Sequence, residues 1–456
     1  MKLRIPGLAF AGSALKAELA KLTIPIFIET LLIMTLGAVD TFMLSRYSDA
    51  SVAAVGVVNQ IIMVCFLVFE VINVGTSVLV SQYVGAGLAK RTLTAIIVAL
   101  AINLVSGVLM SGALYLFSSR LLGAMGLHGE MLDEGYSYMR IVGIFAFFQA
   151  ISLTLSASLR ASNRAVWPMG VVAVVNLINI FGNYSLIFGH FGMPALGVTG
   201  AAISTATCRG ISMVVLGIVV YRLLFRGNGP LKNMIERPGH ELKNLLRVGL
   251  PSAGEQFSYS LSQIVLTYFI NMMGLEALAT RTYTVNIVMF VYLFCISISH
   301  GGAIAIGHLV GHGKTHGAFI LGRFVMKVAT MVTLVLSTIT AFCGHAIFSF
   351  LTDNEEIVRL GTHILFIDVA VELGRAINIY TVNALRAVGD VNFPFYVGVI
   401  FMWSVAVVGG YLAGIVAGFG ILGMWVAFAA DENIRAIIFV RRWNNMKWAG
   451  KAFVKE

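Results

Sequence analysis

The sequence predicts an all-α membrane protein with twelve transmembrane helices, arranged as two six-helix bundles that are related by a parallel pseudo-two-fold repeat. Three observations support this fold: the composition, the number of long apolar segments and a repeat with a fixed offset. Of the 456 residues, 58% are hydrophobic and 11% are charged, whereas a soluble domain carries about 25% charged residues. A water-soluble core cannot bury so much apolar surface, so we expect the apolar segments to lie in a lipid bilayer.

Apolar segments follow one another along the whole chain. Each approaches or exceeds the roughly 20 residues that a helix needs to cross a bilayer. Their apolar runs are continuous rather than alternating, which favours helices over a β-barrel. The twelve predicted spans have approximate limits 20–46, 52–84, 92–118, 132–154, 165–189, 196–224, 243–272, 278–310, 317–350, 358–384, 391–416 and 419–441.

Basic residues concentrate in one set of predicted loops and at both ends of the chain, whereas the opposite loops are mainly acidic. Because positively charged loops remain in the cytoplasm, we expect both termini to be cytoplasmic. The net charge of +10 follows from this topology and gives no reason to expect a nucleic-acid partner. The predicted organisation is a cytoplasmic arm (1–19), an N-lobe (20–226), a cytoplasmic linker (227–241), a C-lobe (242–441) and a cytoplasmic tail (442–456).

The two halves of the sequence align when one is displaced by 226 positions. Because this offset spans six helices, both halves enter the membrane in the same direction, which makes the repeat parallel. Repeats of this kind are typical of transporters whose site lies between the two halves and opens to each side in turn. The aligned residues are Pro25 with Pro251, Glu29 with Glu255, Gly85 with Gly311, Gly87 with Gly313, Leu159-Arg160-Ala161 with Leu385-Arg386-Ala387, and Pro168 with Pro394.

The repeat includes two glycine-rich phrases, "QYVGAG" at 82–87 and "HLVGHG" at 308–313. Each follows a long apolar run. Glycine allows the left-handed backbone that commonly ends a helix. We therefore expect each phrase to end the second helix of its half.

Several motifs in a fixed order resemble the MATE family of multidrug and toxic compound extruders, in its DinF-like bacterial branch. They are "AVDTFMLSRY", "SVLVSQYVGAG", "LRASNRAVWPMG", "GVTGAAIST" and "LRAVGDVNFP". The resemblance covers essentially the whole chain. It implies two lobes in a V-shaped arrangement, a location in the bacterial inner membrane, and export of small-molecule drugs and organic cations in exchange for H⁺ or Na⁺. A lipid-linked precursor flippase of the same superfamily is the alternative, although that class usually has additional helices and a more basic cavity.

Asp40 is the strongest candidate for ion coupling, since ionisable groups inside a membrane span are costly and often functional. No Lys or Arg lies within four residues of it. Burial in a low dielectric favours the protonated form of a carboxylate, which suits a proton carrier; a structural hydrogen bond is the alternative.

Pro25, fifteen residues before Asp40 in the same predicted helix, is a natural kink. We hypothesise that protonation of Asp40 changes the bend near Pro25; a static kink is the alternative.

The predicted fifth span carries Asn176, Asn179 and Asn183 at a spacing that places them on one helix face. The family resemblance implies that Asn179, Asn183 and Thr205 lie beside Asp40 in a cation or proton site. Relatives can carry a carboxylate where this chain has Asn183. The missing charge argues against tight Na⁺ binding and favours H⁺.

The C-lobe carries a second group of polar residues, Asp368, Glu372 and Arg375. Glu372 and Arg375 are three apart, so we expect an ion pair between them. The resemblance implies that the C-lobe cation site of NorM-like relatives is absent here, because its positions hold Tyr259 and Arg375.

The substrate cleft has four candidate residues. Glu29 and Glu255 are expected either to attract cationic substrates there or to connect helices. Asn176 and Tyr259 are further candidates for the lining of the cleft.

No other motif suggests a different chemistry. "GHLVGHGKT" has one residue too many for a phosphate-binding P-loop. His308, His312 and His316 could share a helix face, but a charged helix end is the favoured interpretation over a metal site. We expect no enzymatic activity, no cofactor other than the coupling ion, no metal, and a monomer.

Overall fold

A computed structural model describes residues 8–227 and 234–455, and helices account for most of them. The predicted arm and linker lie partly outside this range, because residues 1–7 and 228–233 are not described. Within residues 8–227 the α-helices are α1 (Leu8–Ser45), α2 (Asp49–Gly85), α3 (Ala89–Ala124), α4 (Glu130–Ile144), α5 (Ala146–Ala161), α6 (Val166–Phe188) and α7 (Gly197–Val220). A π-helical turn, Tyr221–Phe225, continues α7.

The described part of the second half also contains seven α-helices, but its helices are interrupted at different places. Within residues 234–455 the α-helices are α8 (Pro238–Asn271), α9 (Leu275–Gly311), α10 (Thr315–Phe342), α11 (Gly344–Leu351), α12 (Glu355–Ala387), α13 (Asn392–Phe401) and α14 (Gly420–Asn444). Two π-helical segments, Met402–Gly409 and Leu412–Val416, continue α13. Each predicted span therefore corresponds to one helix or to one interrupted helix.

Hydropathy alone identifies fewer spans than the sequence predicts. In the described part of the chain, eight helices are long and apolar enough to cross a membrane. The pair α4 and α5, bent by 48°, would make a ninth. The other three predicted spans are α8, α12 and α14, which are helical but carry charged side chains in their middle. Those charges form ion pairs with one another or with neighbouring helices, which reduces the cost of placing them in a membrane.

The repeat is also visible in the backbone. As predicted, α2 ends at Gly85 and α9 ends at Gly311, and the following Gly87 and Gly313 have φ of 71° and 75°. Positive φ recurs at the same offset at Asn163 and Gly389, and again at Gly192 and Gly418. Glycine and asparagine tolerate this conformation best. The two halves therefore share their tight turns as well as their sequence motifs.

The chain divides into two compact units, and each border lies at a repeated proline. The N-unit is Ile24–Leu250, and the C-unit is Pro251–Glu456 together with the segment before Ile24. Pro25 lies inside α1 and Pro251 inside α8. In the N-unit, a Cβ on Gly75 of α2 would approach the backbone oxygen of Leu245 to 2.7 Å. The first turns of α8 thus pack closely on α2.

The crossing of α6 and α7 in the N-unit depends on small residues. A Cβ on Gly200 would lie 2.4 Å from the backbone oxygen of Leu186. A Cβ on Gly182 would lie 2.5 Å from Oγ of Ser204. Because neither contact leaves room for a methyl group, the two helices approach closely. This contact fixes the polar face of α6 against α7.

The C-terminal segment folds back onto the C-unit. Trp448 and Phe453 are buried, and the rings of Trp443 and Trp448 stack with centroids 4.6 Å apart. Asp390 accepts hydrogen bonds from Arg442 at 2.8 Å and from Lys451 at 2.6 Å. The segment after α14 is therefore packed in place up to at least Phe453.

We expect Gly200→Ala to destabilise the protein by about 2–3 kcal/mol, because the new methyl group collides with backbone that cannot rotate away. Gly217→Ala on the same helix is the matched control. No heavy atom lies within 4 Å of that position, so the change should be neutral or stabilising by up to about 1 kcal/mol. Thermal unfolding in detergent measures both. Equal midpoints for the two variants would contradict the close contact.

Candidate functional site

Asp40 of α1 faces a cavity of about 60 Å³ inside the N-unit. The volume is enough for a few water molecules. Asn183 Nδ2 donates a hydrogen bond to Asp40 Oδ1 at 2.7 Å. The lining contains both polar and apolar residues, and consists of Gly37, Asp40, Thr41, Leu44, Val55, Asn59, Tyr138, Asn183, Ala201 and Thr205. The structure thus brings Asp40, Asn183 and Thr205 to one cavity.

A chain of amides on α6 supports the contact with Asp40. Asn183 Nδ2 also lies 3.0 Å from Asn179 Oδ1. Asn179 in turn exchanges hydrogen bonds with Ser204 of α7, at 3.4 Å through its side chain and at 3.2 Å through its backbone oxygen. The Oδ1 atom of Asn183 is buried and has no hydrogen-bond partner among the described residues. An acceptor oxygen is therefore available close to the carboxylate.

Arg209 brings a positive charge to the same region, a proximity to Asp40 that the sequence reasoning did not predict. It lies on α7 four residues after Thr205, and it interacts electrostatically with Asp40 and with the buried Tyr138. Its guanidinium lies 5.5 Å from the ring centroid of Phe66. Asp40 has no basic neighbour on its own helix, but a basic neighbour from α7 does influence it. The repeat offers a sequence signal, since Arg209 and Arg435 share the offset of 226.

Two of the residues expected in the cleft, Glu29 and Asn176, form contacts between helices. Glu29 is buried and accepts a hydrogen bond from Arg160 Nη1 at 2.7 Å. Asn176 Nδ2 donates to the backbone oxygen of Leu32 at 2.7 Å. These groups hold α1 against α5 and α6, and for Glu29 this is the helix contact that the sequence offered as an alternative. Pro25 is buried within α1.

The remaining cleft candidates lie in the C-unit. Glu255 accepts a hydrogen bond from Arg386 Nη2 at 2.7 Å, so it too joins two helices. Tyr259 is 46% exposed, which leaves its ring available for contact with a ligand or with lipid.

A family model described as MatE matches residues 25–185 and matches again at residues 251–412. The chain belongs to the MatE family. The two matches begin at Pro25 and Pro251, which is the offset found within the sequence. MatE proteins are membrane transporters rather than enzymes.

Relatives of this MatE protein cover nearly its full length. The uncharacterized transporter YisQ of Bacillus subtilis strain 168 is 37% identical over 448 residues, which are 97% of this chain and 98% of that protein. The probable multidrug resistance protein NorM of Thermotoga maritima is 26% identical over 440 residues, which are 96% of this chain and 94% of that one. A crystal structure of a MATE protein in the bent conformation has a TM-score of 0.86 at 20% identity, and covers 96% of both chains.

The C-unit of this MatE protein contains a charge network that joins α12 to α14. Arg375 pairs with Glu372, as the spacing predicted, and its Nε lies 3.8 Å from Glu432. Asp368 accepts a hydrogen bond from Trp425 Nε1 at 3.1 Å. Trp425 therefore supplies a neutral donor to Asp368, which the sequence did not predict.

The α14 side of this network contains three charges. Arg435 pairs with Asp431, and it lies 3.0 Å from Glu432. Asn378 Nδ2 donates to Glu432 Oε2 at 2.6 Å. The sequence reasoning missed Asp431, although Asp431 occupies the repeat position of Thr205. Within the described ranges, no group of three or more His, Cys, Asp or Glu side chains is placed to hold a metal ion.

Arg375→Gln should lower stability by about 3 kcal/mol or more, because it leaves the buried Glu372 without its cationic partner. Arg359→Gln is the control, since Arg359 forms an exposed pair with Glu356 at 2.9 Å and should change stability by less than about 0.5–1 kcal/mol. Thermal unfolding of both variants in the same detergent measures the difference. A similar small effect at both sites would contradict the role of the network.

Proposed function

We propose that the protein is a multidrug efflux antiporter that exports organic, often cationic compounds by alternating access in exchange for H⁺. The observation that carries the proposal is the placement of Asp40, a carboxylate in a membrane-spanning helix that faces a polar cavity and accepts a hydrogen bond from Asn183. Its relatives include proteins named as multidrug resistance proteins. Drug-sized substrates follow from that likeness.

The charge around Asp40 favours H⁺ over Na⁺ as the coupling ion. Hard cations prefer several oxygen ligands, and carboxylates hold them best. Asp40 is the only carboxylate among the cavity-lining residues, and Arg209 adds a positive charge that interacts with it. A metal cation would be repelled by Arg209, whereas a proton binds covalently to Asp40 and needs no further ligand.

Protonation of Asp40 would weaken its contact with Asn183, because a neutral carboxyl is a poorer acceptor than a carboxylate. The outer part of α1 would then lose its strongest polar attachment to α6. We propose that α1 responds by changing its bend near Pro25, where the helix lacks a backbone donor. The change in α1 would displace substrate from the N-lobe.

The proposal also includes the topology, location and oligomeric state of the protein. Both termini face the cytoplasm, the chain crosses the bacterial inner membrane many times, and it acts as a monomer without a cofactor. Organic cations would contact exposed aromatic side chains such as Tyr259 through cation–π interactions.

Asp40→Asn should abolish drug efflux, with at least a tenfold loss, because the amide cannot carry a proton. Ethidium accumulation in efflux-deficient cells measures transport. Asp353→Asn, which makes the same change at an exposed loop position, is the matched control and should leave efflux unchanged. Normal efflux by the Asp40 variant at normal expression would contradict the proposal.

The stability of the wild-type protein at pH 8 should be the same in Na⁺ and K⁺. Arg209→Gln should gain a stabilisation by Na⁺ of about 2–4 °C in unfolding midpoint, because the positive charge that repels the metal cation is removed. Arg209→Lys keeps the charge and should remain insensitive, and a further Asp40→Asn change should abolish the gain. A strong Na⁺ effect on the wild type would contradict H⁺ coupling.

A further inference from the structure

Two ion pairs occupy equivalent positions in the two repeats. In the N-unit, Arg160 Nη1 lies 2.7 Å from Glu29 Oε1. In the C-unit, Arg386 Nη2 lies 2.7 Å from Glu255 Oε2. The members of each pair are 131 residues apart, and the second pair follows the first by 226 positions. Both repeats have therefore retained the same interhelical ion pair.

Each pair lies just beyond a proline within a helix. Glu29 follows Pro25 by four residues in α1, and Arg160 lies in the last turn of α5. Proline removes one backbone hydrogen bond and weakens the helix at that point. The ion pair attaches the segment beyond Pro25 to a different helix. A change of bend at Pro25 would have to move Glu29 away from Arg160.

The N-unit pair is costly to break. The side chain of Glu29 is 6% exposed and that of Arg160 is 27% exposed. Separation of a charge pair in such surroundings leaves an unpaired ion in a low dielectric, which is strongly unfavourable. The contact is therefore a barrier to bending rather than a freely exchanging surface pair.

Asp40 lies eleven residues beyond Glu29 on the same helix, which is about 16 Å along its axis. Asp40 interacts electrostatically with Arg209 on α7 and with Tyr138 on α4, and Glu29 interacts with Arg160 on α5. In α1, therefore, Asp40 lies at one end of this eleven-residue interval and the Glu29–Arg160 ion pair lies at the other.

The C-unit has the same charge pair without the titratable contact. The repeat position of Asp40 holds Leu266, which is 1% exposed within an apolar cluster. At this repeat position α8 therefore has no carboxylate that could bind a proton. This difference makes the C-unit pair a natural internal control.

We propose that the Glu29–Arg160 ion pair is a lock on the Pro25 bend, and that it sets how much proton binding at Asp40 is needed to change the conformation of α1. The inference depends on the proposed proton-coupled function. Glu29 and Arg160 act through α1 and are positioning residues. The Glu255–Arg386 pair contributes to the stability of the C-unit but does not set the proton response.

The test follows α1 directly with a fluorescent probe. Phe42 is 58% exposed and lies two residues beyond Asp40, so Phe42→Cys places a bimane label near the moving part. Cys343→Ser removes the one exposed native cysteine, since Cys65, Cys208 and Cys295 are buried. The labelled full-length protein in lipid nanodiscs is titrated with pH. The midpoint of the fluorescence change is the readout, and Asp40→Asn should abolish the change.

Glu29→Gln and Arg160→Gln should each move the midpoint by about one pH unit towards alkaline pH, because a roughly tenfold easier bend needs a tenfold lower proton concentration. The charge-exchanged variant Glu29→Arg with Arg160→Glu should restore the wild-type midpoint. Glu255→Gln, which makes the same change at the repeat position, should lower the thermal unfolding temperature but leave the midpoint in place. Addition of Pro25→Ala should remove the shift caused by Glu29→Gln.

Three results would overturn the lock. The first is a Glu29→Gln variant with lower thermal stability but an unchanged midpoint, which would make the pair merely structural. The second is an equal shift in Glu255→Gln, and the third is a shift that persists with Pro25→Ala. A wild-type protein without any pH response would overturn the proposed proton coupling and the lock together, so the two failures are distinguishable.

Discussion

The cost of placing an ionised group in hydrocarbon governs how this protein arranges its charges. Several charged side chains lie on helices that cross the membrane, and most of them have an oppositely charged partner within hydrogen-bond distance. Pairing of this kind lets α8, α12 and α14 carry charges that would otherwise disqualify them as membrane spans. Asp40 instead accepts a hydrogen bond from the neutral amide of Asn183, as Asp368 does from the indole of Trp425. A carboxylate without a direct salt bridge is the group whose charge can change most readily.

The two repeats show which features a duplicated scaffold retains. Backbone features persist at one offset, including the prolines in α1 and α8 and the positive-φ turns. Interior side chains have diverged. In the N-unit, Asn103 donates to Thr154 at 2.7 Å and to Asn73 at 3.2 Å. The corresponding positions of the C-unit hold Tyr380, Ala329 and Ser299, so an aromatic ring replaces a polar network.

The two units also differ in how their buried charges are neutralised. Thr205, which lines the N-unit cavity, has Asp431 as its repeat mate, while Arg209 and Arg435 are identical residues in different surroundings. Arg435 has two carboxylates close by, whereas Arg209 faces Asp40 without a direct salt bridge. The same scaffold therefore holds a saturated charge network in one unit and an incompletely neutralised carboxylate in the other.

Sequence reasoning could predict properties that depend on local pattern. Hydropathy and the repeat gave the spans, and glycine spacing predicted the ends of α2 and α9. The spacing of Glu372 and Arg375 predicted their pair. Contacts between distant helices were not accessible, because burial and helix rotation decide them. Arg160 lies between the predicted spans 132–154 and 165–189, where a basic residue orients the chain, and its pairing with Glu29 was not predicted.

The break between α4 and α5 was likewise not predicted, since the predicted span 132–154 contains no proline and only two separated glycines, Gly135 and Gly143. The Asp40 site was partly predictable, because the three asparagines share one face of α6. Their partners were not, and Asn176 donates to the backbone oxygen of Leu32 in α1.

The stacked indoles of Trp443 and Trp448 give the molecule an optical signature of its own. Two such chromophores at 4.6 Å are held in a fixed chiral arrangement, which gives a band in near-ultraviolet circular dichroism. That band would disappear when the end of the chain detaches from the C-unit. Its intensity would therefore report on the terminal segment in unlabelled protein, separately from the far-ultraviolet signal of the helices.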